Sequence, residues 1–280
     1  MSIAPLVCGR RPRAALTRLV ARATVAFLLM YVSNSLSHTF QNSNPSLQLD
    51  SKNSKKVISY SLYGSDPRYI DGAVENAKLI KLVYSGWLMR VYHDASVPVT
   101  VVQRLHGLGV EMVNMSGTLL NGMTWRFLVA SDPTIDFWCS RDIDSRLSLR
   151  EKVCVDQWLE TTRDFHIIRD HPSHTQVIPG GTWCGRKNAI PEMESVLRQN
   201  SVAHEYGADQ QFLKQYVWPR VKKSALQHVS FGCKRFKDSR PIPVKRSGLE
   251  HVGAVFIDGQ LRHIDQELLL VALQRGRECT

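Results

Sequence analysis

The chain has 280 residues, 43% of them hydrophobic, and a formal net charge of +11. This suits one large domain, or one domain with a tail, whose core needs no metal or disulfide scaffold merely to fold. Five arginines in the first 22 residues, with no acid before Asp50, leave an excess of six on the rest, which suits small anionic ligands as well as nucleic acid.

The N-terminal arginines precede an apolar, uncharged run at residues 23–32. This pattern is typical of a secretory signal or a signal-anchor, although the run is shorter than the ~20 residues that cross a bilayer. We therefore predict such a segment at residues 1–32, through which the chain would contact the membrane. The positive charge before the apolar run favours a cytosolic N-terminus. Both options send the remainder into the secretory pathway, to the Golgi lumen or, after cleavage, out of the cell. The alternative is a buried N-terminal helix of a cytosolic protein.

Residues 33–56 are rich in Ser, Asn, Gln and Lys, which predicts a flexible stem before a folded domain at residues 57–280. The six cysteines show no Cys-x-x-Cys spacing, which disfavours zinc ribbons and thioredoxin-type redox sites. In a lumen, some of the five after Cys8 could pair, with one left over. Asn114-Met115-Ser116 is an N-glycosylation sequon.

From residue 57 the pattern alternates between strands and helices. We expect Asp71 to cap the first helix and Gly109 to end the second. Such alternation predicts an α/β fold with a largely parallel sheet covered on both faces. The predicted strands are 57–62, 87–92 and 110–115, the second helix is 99–108, and 125–130 forms another element.

The second half continues the alternation. Ser148 and Glu151 have the spacing of a capping box, which predicts a helix start, and a short strand follows at 166–169. Residues 179–183 form a glycine-rich loop. A helix is predicted over 208–217, ending before Pro219.

Two aspartates, Asp142 and Asp144, directly follow the apolar stretch 135–139. Asp-x-Asp at the end of a strand places two carboxylates on one side of a turn, within reach of a single hard cation. Mg²⁺ and similar ions are commonly held by one or two carboxylates plus substrate phosphates. The alternative is a solvated, salt-bridged acidic turn.

Five segments, read in order over about residues 57–256, resemble nucleotide-sugar-dependent glycosyltransferases of the GT-A type. The similarity extends to glycosyltransferase-like proteins with an Arg-Asp-x-Asp-Ser-Arg signature. It implies a GT-A-like, Rossmann-type sheet and transfer of a sugar from a nucleoside-diphosphate donor to a hydroxyl of a glycan, glycoprotein or glycolipid. The segments are Ser-Leu-Tyr-Gly at 61–64, Arg-Asp-Ile-Asp-Ser-Arg at 141–146, Arg-Asp-His-Pro at 169–172, Gly-Gly-Thr-Trp-Cys-Gly at 180–185 and Tyr-Gly-Ala-Asp-Gln-Gln-Phe-Leu at 206–213.

The resemblance implies that Asp142 and Asp144 hold Mn²⁺ or Mg²⁺ on the donor diphosphate, with His228 as a third ligand by position. The departing nucleoside diphosphate develops charge that needs a fixed counter-charge. Arg141 and Arg146 would add donors to the phosphates, since guanidinium forks match phosphate oxygens. Their alternative role is ion pairing with neighbouring acids.

The resemblance also implies donor contacts by Tyr63 and Gly64, where open α/β sheets bind nucleotides. Asp209, with Gln210, would lie at the acceptor hydroxyl and the transferred sugar, Asp209 as the candidate base. The alternatives are a core tyrosine and an aspartate favoured by the helix dipole.

On the acceptor side, Gly180 and Gly181 would let the backbone approach the sugar, and Trp183 would offer it an apolar face. His171 would face the acceptor. The alternatives are an ordinary tight turn with a core tryptophan and structural histidines.

Two other functions compete with sugar transfer. A catalytically silent relative would bind a glycan or partner without turnover. A metal-dependent phosphodiesterase or nuclease would use the same carboxylates with Asp132 and Asp136, but it does not account for the signal, the stem or the glycine loop. We expect no nucleic-acid partner.

Overall fold

The computed structural model describes residues 54–200 and 205–279. The predicted signal or anchor at 1–32, and nearly all of the predicted stem, lie outside the described residues. Within the described ranges, no helix combines the length and the apolar character that a membrane span requires.

Eight strands form one sheet. In chain order they are β1 (Lys56–Leu62), β2 (Trp87–His93), β3 (Glu111–Asn114), β4 (Phe137–Arg141), β5 (Phe165–Arg169), β6 (Thr182–Arg186), β7 (Ala225–Val229) and β8 (Ser239–Arg240). Their order across the sheet is β3-β2-β1-β4-β6-β5-β7-β8. Only β6 runs antiparallel to its neighbours, β4 and β5. The sheet is therefore mostly parallel, as the sequence predicted.

Helices cover both faces of the sheet, which confirms the predicted layering. One face packs on α1 (Pro67–Val83), α2 (Val99–Gly107) and α3 (Leu149–Leu159). The other packs on a 3₁₀ segment (Gly122–Ser131), α4 (Met193–Gln199), α5 (Ala208–Phe212) and α6 (Trp218–Val221). Neighbouring residues of a strand serve opposite layers, because side chains alternate across a strand. A short pair, β9 (Phe256–Ile257) with β10 (Gln260–Leu261), precedes α7 (His263–Gln274).

Several predicted boundaries are wrong. Helix α1 begins one turn early, at Pro67, because Asp66 accepts a hydrogen bond from the Arg68 backbone N–H (2.9 Å) and Pro67 suits a first turn. The helix predicted over 208–217 changes to a π-helix at Leu213–Val217. Pro219 does not end the helical path, since it lies in the first turn of α6.

The cysteines follow the expectation that some pair and one is left over. Cys139 and Cys184 are cross-strand partners of β4 and β6 and form a disulfide, which links the strand before the aspartates to the strand after the glycine loop. Cys233 and Cys279 form a second disulfide near the C-terminus. Cys154 is a buried free thiol.

Helix α1 packs directly against the loop that carries the two aspartates. A Cβ on Gly72 would lie 2.1 Å from the Ile143 carbonyl oxygen, so only glycine permits this approach. One turn later, the Asn76 amide donates to the carbonyls of Ile143 (3.1 Å) and Ser145 (2.8 Å). Its oxygen accepts from the Leu147 N–H (3.1 Å). The helix therefore fixes the backbone on both sides of Asp144.

We expect Gly72→Ala to lower the free energy of unfolding by about 1–3 kcal/mol, because the new methyl group overpacks a backbone contact. The matched control is Gly107→Ala, at an exposed helical position with nothing within 4 Å of the new Cβ. That change should be neutral or stabilising. Urea unfolding measures both, and equal effects would contradict the close approach of α1 to the aspartate loop.

Candidate active site

The aspartate loop and the glycine turn meet at one end of the sheet. Asp142 directly follows β4, and Gly181 directly precedes β6, whose first residue is the cross-strand partner of Arg141. A Cβ on Gly181 would lie 2.0 Å from Asp142 Oδ2. The glycine is therefore required by the carboxylate beside it, and the tight turn is part of the candidate site.

The start of α5 completes this group. A Cβ on Gly180 would lie 3.1 Å from Asp209 Oδ2. Asp209 Oδ1 accepts from the Gln210 N–H (2.8 Å). In the amide orientation that satisfies its neighbours, the Gln210 side chain donates to the Ile178 carbonyl (3.1 Å) and accepts from the Gly180 N–H (3.2 Å). Three sequence-predicted segments thus converge, and Gln210 holds the glycine turn.

An arginine that the sequence analysis missed connects the two sides. Arg126 lies in the 3₁₀ segment, and its Nη1 is 2.8 Å from Asp142 Oδ1. Its Nη2 is 2.7 Å from Asp209 Oδ2. The guanidinium side chain is 10% exposed, whereas Asp142 is 41% exposed. Asp142 therefore faces solvent, and Arg126 bridges it to the buried Asp209.

The second aspartate of the motif is also paired. Asp144 Oδ2 forms an ion pair with Nη2 of Arg68, from the first turn of α1. Arg68 is 29% exposed on its side chain and Asp144 only 9%. Each carboxylate of the cluster thus has an arginine partner.

Burial and mutual repulsion act on these carboxylates. Burial raises the pKa of Asp144, the nearby charge of Asp142 adds to this rise, and Arg68 opposes it. Burial likewise raises the pKa of Asp209, with Arg126 opposing and Asp142 adding. A carboxylate with a raised pKa accepts a proton more readily, which is the property a general base requires.

Five other predicted site residues do not face the cluster, and His171, the last of them, is described below. Arg141 is fully buried and pairs with Glu151 (3.0 Å), so the ion-pairing alternative describes it and phosphate contact does not. Trp183 is 0% exposed and packs edge-on against Trp138, as a core tryptophan. Arg146 lies over the Phe256 ring and donates to backbone carbonyls.

His228 is the fourth and the clearest correction. Its Nδ1 lies 2.8 Å from His166 Nε2, and its Nε2 lies 3.0 Å from Gln157 Oε1, so both ring nitrogens are engaged in the core. Across the described ranges, no three Asp, Glu, His or Cys side chains are grouped so that they could hold a metal ion. His228 therefore does not complete a ligand set with Asp142 and Asp144.

Two of the predicted donor residues, Tyr63 and Gly64, directly follow β1. Tyr63 is 43% exposed and contacts Trp125 edge-on, so it is not a core tyrosine. The Gly64 N–H donates to Ser96 Oγ (2.6 Å). Ser96 lines a cavity of about 400 Å³ with His93 and others, at the carboxyl ends of β2 and β3. Open α/β sheets bind ligands outside the carboxyl ends of their strands, and this cavity lies at that end of the sheet.

The acids of the nuclease alternative are used elsewhere. Asp132 pairs with Arg90 of β2 (2.7 Å). Asp136 accepts from the Lys55 N–H (2.8 Å). Neither carboxylate joins Asp142, so the extra acids that a two-metal site needs are not gathered here.

Arg126 and Arg68 carried weak signals in the sequence. Arg126 is the one charged residue within the apolar run 125–130, and an arginine in such a run is rarely buried without a partner. Arg68 follows Asp66-Pro67, which is a helix start that the sequence analysis placed later. Neither signal shows which carboxylate the arginine pairs with.

No protein-family model matches this chain, and no curated protein matches it. Solved structures do show similarity. Glucosyl-3-phosphoglycerate synthase from Mycobacterium tuberculosis, in complex with Mn²⁺, uridine diphosphate and glucosyl-3-phosphoglycerate, is 13% identical, with a TM-score of 0.45, over 65% of this chain and 71% of that chain. A 4-diphosphocytidyl-2C-methyl-D-erythritol synthase from Anaerococcus prevotii is 12% identical, with a TM-score of 0.43, over 62% and 87%. Similarity at this level does not fix the function, which has to be argued from the site.

Three histidines, His171, His174 and His251, form a cluster. The His171 and His251 rings stack at 4.4 Å between centroids, and His174 lies 5.7 and 6.1 Å from them. His171 is buried, and its Nε2 lies 2.9 Å from the Asp265 carbonyl oxygen, so it does not contact the carboxylate group as an acceptor residue would. Burial and the neighbouring rings lower the pKa of His174 to about 3 and that of His251 to about 4, although Asp170 and Asp265 oppose the shift.

These histidines predict acid sensitivity. The pKa of His251 falls from 6.5 to about 4 on folding, so the unfolded chain binds more protons between these values and stability falls as the pH drops. We expect His251 to remove about 2 kcal/mol from the free energy of unfolding between pH 7.5 and 5. His251→Phe should reduce this loss, as measured by urea unfolding at both pH values.

The control is His106→Phe, at an exposed position on α2. Asp144 and Asp209 act in the opposite direction because their pKa values are raised, so the difference between wild type and variant isolates the histidine. An unchanged pH dependence in His251→Phe would contradict the assignment.

Proposed function

We propose that this protein transfers a glycosyl group from a nucleoside-diphosphate sugar to a hydroxyl of a glycan, glycoprotein or glycolipid. The observation that carries the proposal is the meeting of Asp142, Asp209 and the Gly180–Gly181 turn around Arg126. Two carboxylates and a guanidinium lie beside the buried glycine turn, at the carboxyl end of β4, and Asp142 is open to solvent. A sugar diphosphate needs this combination of a cation-binding group and a base.

The nucleoside would occupy the cavity at the ends of β2 and β3, next to Gly64. Its polar lining includes Asp94 and Ser96, and Ser96 already links the cavity to Gly64. From there a diphosphate extends towards Asp142 and the N-terminus of α1, where helix N–H groups favour negative charge. Tyr63 is exposed beside this route.

The carboxylates fit a divalent metal if the substrate supplies the remaining ligands. Asp142 offers solvent-facing oxygen, and Mg²⁺ or Mn²⁺ is commonly held by one or two carboxylates plus phosphates. The Nε atoms of Arg68 and Arg126 are buried without a hydrogen-bond partner, which indicates arginines not fully satisfied by the residues around them. Asp142, supported by Asp144, would hold the metal, which would neutralise charge on the departing diphosphate.

The chain's own residues would act on the acceptor. The acceptor oxygen attacks the anomeric carbon, the bond from that carbon to the diphosphate breaks, and the electron pair leaves with the nucleoside diphosphate. Asp209 is the candidate to take the hydroxyl proton, and its raised pKa suits that role. The Gly180–Gly181 turn would keep Asp142 and Asp209 in place for this step, because a Cβ on either glycine would crowd their carboxylates.

Two disulfides support a lumenal setting, since disulfides persist in oxidising compartments. We therefore keep the secretory pathway, with a Golgi membrane anchor or a cleaved signal at residues 1–32, as part of the proposal. Every carboxylate in the cluster is paired with an arginine. The same pairing suits a relative that binds nucleotide or glycan without turnover, which is therefore the alternative function.

We expect UDP or GDP with Mn²⁺ to stabilise the full-length protein, by about 2.7 kcal/mol at 100 times the Kd. Asp142→Asn should abolish the shift in melting temperature, because it removes the charge with little change in shape. Asp156→Asn, on the outer surface of α3, is the matched control and should keep the shift. The same pair is then tested for release of nucleoside diphosphate from a panel of nucleotide-sugars.

An equal shift in Asp142→Asn and wild type would contradict the proposed donor site. A shift lost in Asp142→Asn, with no release or transfer on any nucleotide-sugar and acceptor, would instead identify the silent relative.

A further inference from the structure

The backbone of Arg126 is held by hydrogen bonds, and its side chain pairs with two carboxylates. Its carbonyl accepts from Ser59 Oγ (2.8 Å), and its N–H donates to Ser61 Oγ (3.0 Å), so β1 holds the residue from both sides. Its guanidinium pairs with Asp142 through Nη1 and with Asp209 through Nη2. The residue therefore has little freedom to leave the site, and only the distribution of its hydrogen bonds can change.

We propose that Arg126 competes with the divalent cation for Asp142, so that the site takes the metal together with a nucleoside diphosphate and discriminates against the free ion. This inference rests on the proposed function, since it concerns the same carboxylate. It makes Arg126 a residue that determines which form of the metal is bound.

The competition follows from the one carboxylate that both cations would share. Oδ1 of Asp142 pairs with Arg126 and Oδ2 lies against Gly181, so a metal ion would bind the solvent-facing side of a carboxylate whose charge the guanidinium already balances. The two positive charges would repel each other, so the metal would weaken the contact between Asp142 and Arg126. Asp209 keeps hold of Nη2 on the other side, so Arg126 remains tethered while Nη1 is released.

The loss of the contact between Nη1 and Asp142 explains why the metal would bind more tightly together with a nucleotide. A buried guanidinium that loses one carboxylate and gains nothing pays a desolvation penalty, because buried charges require partners. Phosphate oxygens match a guanidinium fork, so a diphosphate arriving with the metal would replace the lost contact. Metal and nucleotide then strengthen each other's binding, and thermodynamic linkage makes that coupling reciprocal.

The test measures binding of Mn²⁺ alone to the full-length protein, from the electron paramagnetic resonance signal of the unbound ion, with and without UDP or GDP. We expect Arg126→Gln to bind Mn²⁺ alone about tenfold more tightly than wild type, equivalent to about 1.4 kcal/mol. The added nucleotide should tighten Mn²⁺ binding strongly in wild type and much less in Arg126→Gln, because the variant has no guanidinium to offer the phosphates.

Two variants separate direct competition from a change in net charge. Arg262 pairs with Asp265 (2.8 Å) and acts on Asp144 only through its charge. Arg262→Gln therefore removes a nearby positive charge without removing a direct contact to the aspartates. It should change the affinity for Mn²⁺ alone far less than Arg126→Gln. Arg126→Lys keeps the charge but cannot bridge two carboxylates as a fork, so we expect an intermediate, several-fold gain.

If Arg126→Gln does not fold, Arg126→Lys decides the question. Unchanged or weaker binding of Mn²⁺ alone in the folded Arg126 variant overturns the inference, as does an equal gain in Arg262→Gln. If wild type binds Mn²⁺ with nucleotide and only the Arg126 effect is missing, the proposed function stands and this inference falls. If wild type binds no Mn²⁺ even with nucleotide, both fall.

Discussion

Arg126 lies between two carboxylates that repel each other and that come from different parts of the chain. Asp142 leaves β4, whereas Asp209 opens α5, and the guanidinium contacts both within 2.8 Å. Without this cation, two negative charges would face each other beside Asp144 in a partly buried space, where the charge of Asp142 raises the pKa of Asp144 and of Asp209. The guanidinium therefore allows Asp142 and Asp209 to lie together, and the stability of this arrangement depends on its two ion pairs.

The backbone imposes a second constraint. Strand β6 runs antiparallel between β4 and β5, and this reversal carries the glycine turn to the end of β4. The Cys139–Cys184 disulfide joins the same two strands. Gly181 then touches Asp142, and Gly72 touches the other side of the aspartate loop. Close approach of backbone to backbone, and of backbone to carboxylate, explains why glycine is found at both positions and what any side chain there would displace.

Local sequence pattern predicted structure best where neighbouring residues decide it. Apolar patterning predicted β1 to β5, and the Ser148 hydroxyl does cap α3 by accepting from the Glu151 N–H (3.3 Å). The Glu151 carboxylate, however, turns into the core to pair with Arg141, because a buried arginine needs a counter-charge. His228 does not lie with the aspartates as a metal ligand would, because its position in β7 places it beside His166 in the core.

By itself, the sequence predicted the class of fold and the strands from β1 to β5, but not β6 or β7. Its resemblance to a known family proposed Asp142, Asp209 and Gly181 as residues of one candidate site. Only the tertiary structure decided their partners. Asp209 lies 83 residues from Arg126 along the chain, and no local spacing encodes a contact at that distance. Hydrophobic periodicity is a property of neighbouring residues, whereas an ion pair depends on where the sheet brings distant segments together. Burial then raises the pKa of Asp144 and of Asp209, and burial is decided by the whole fold.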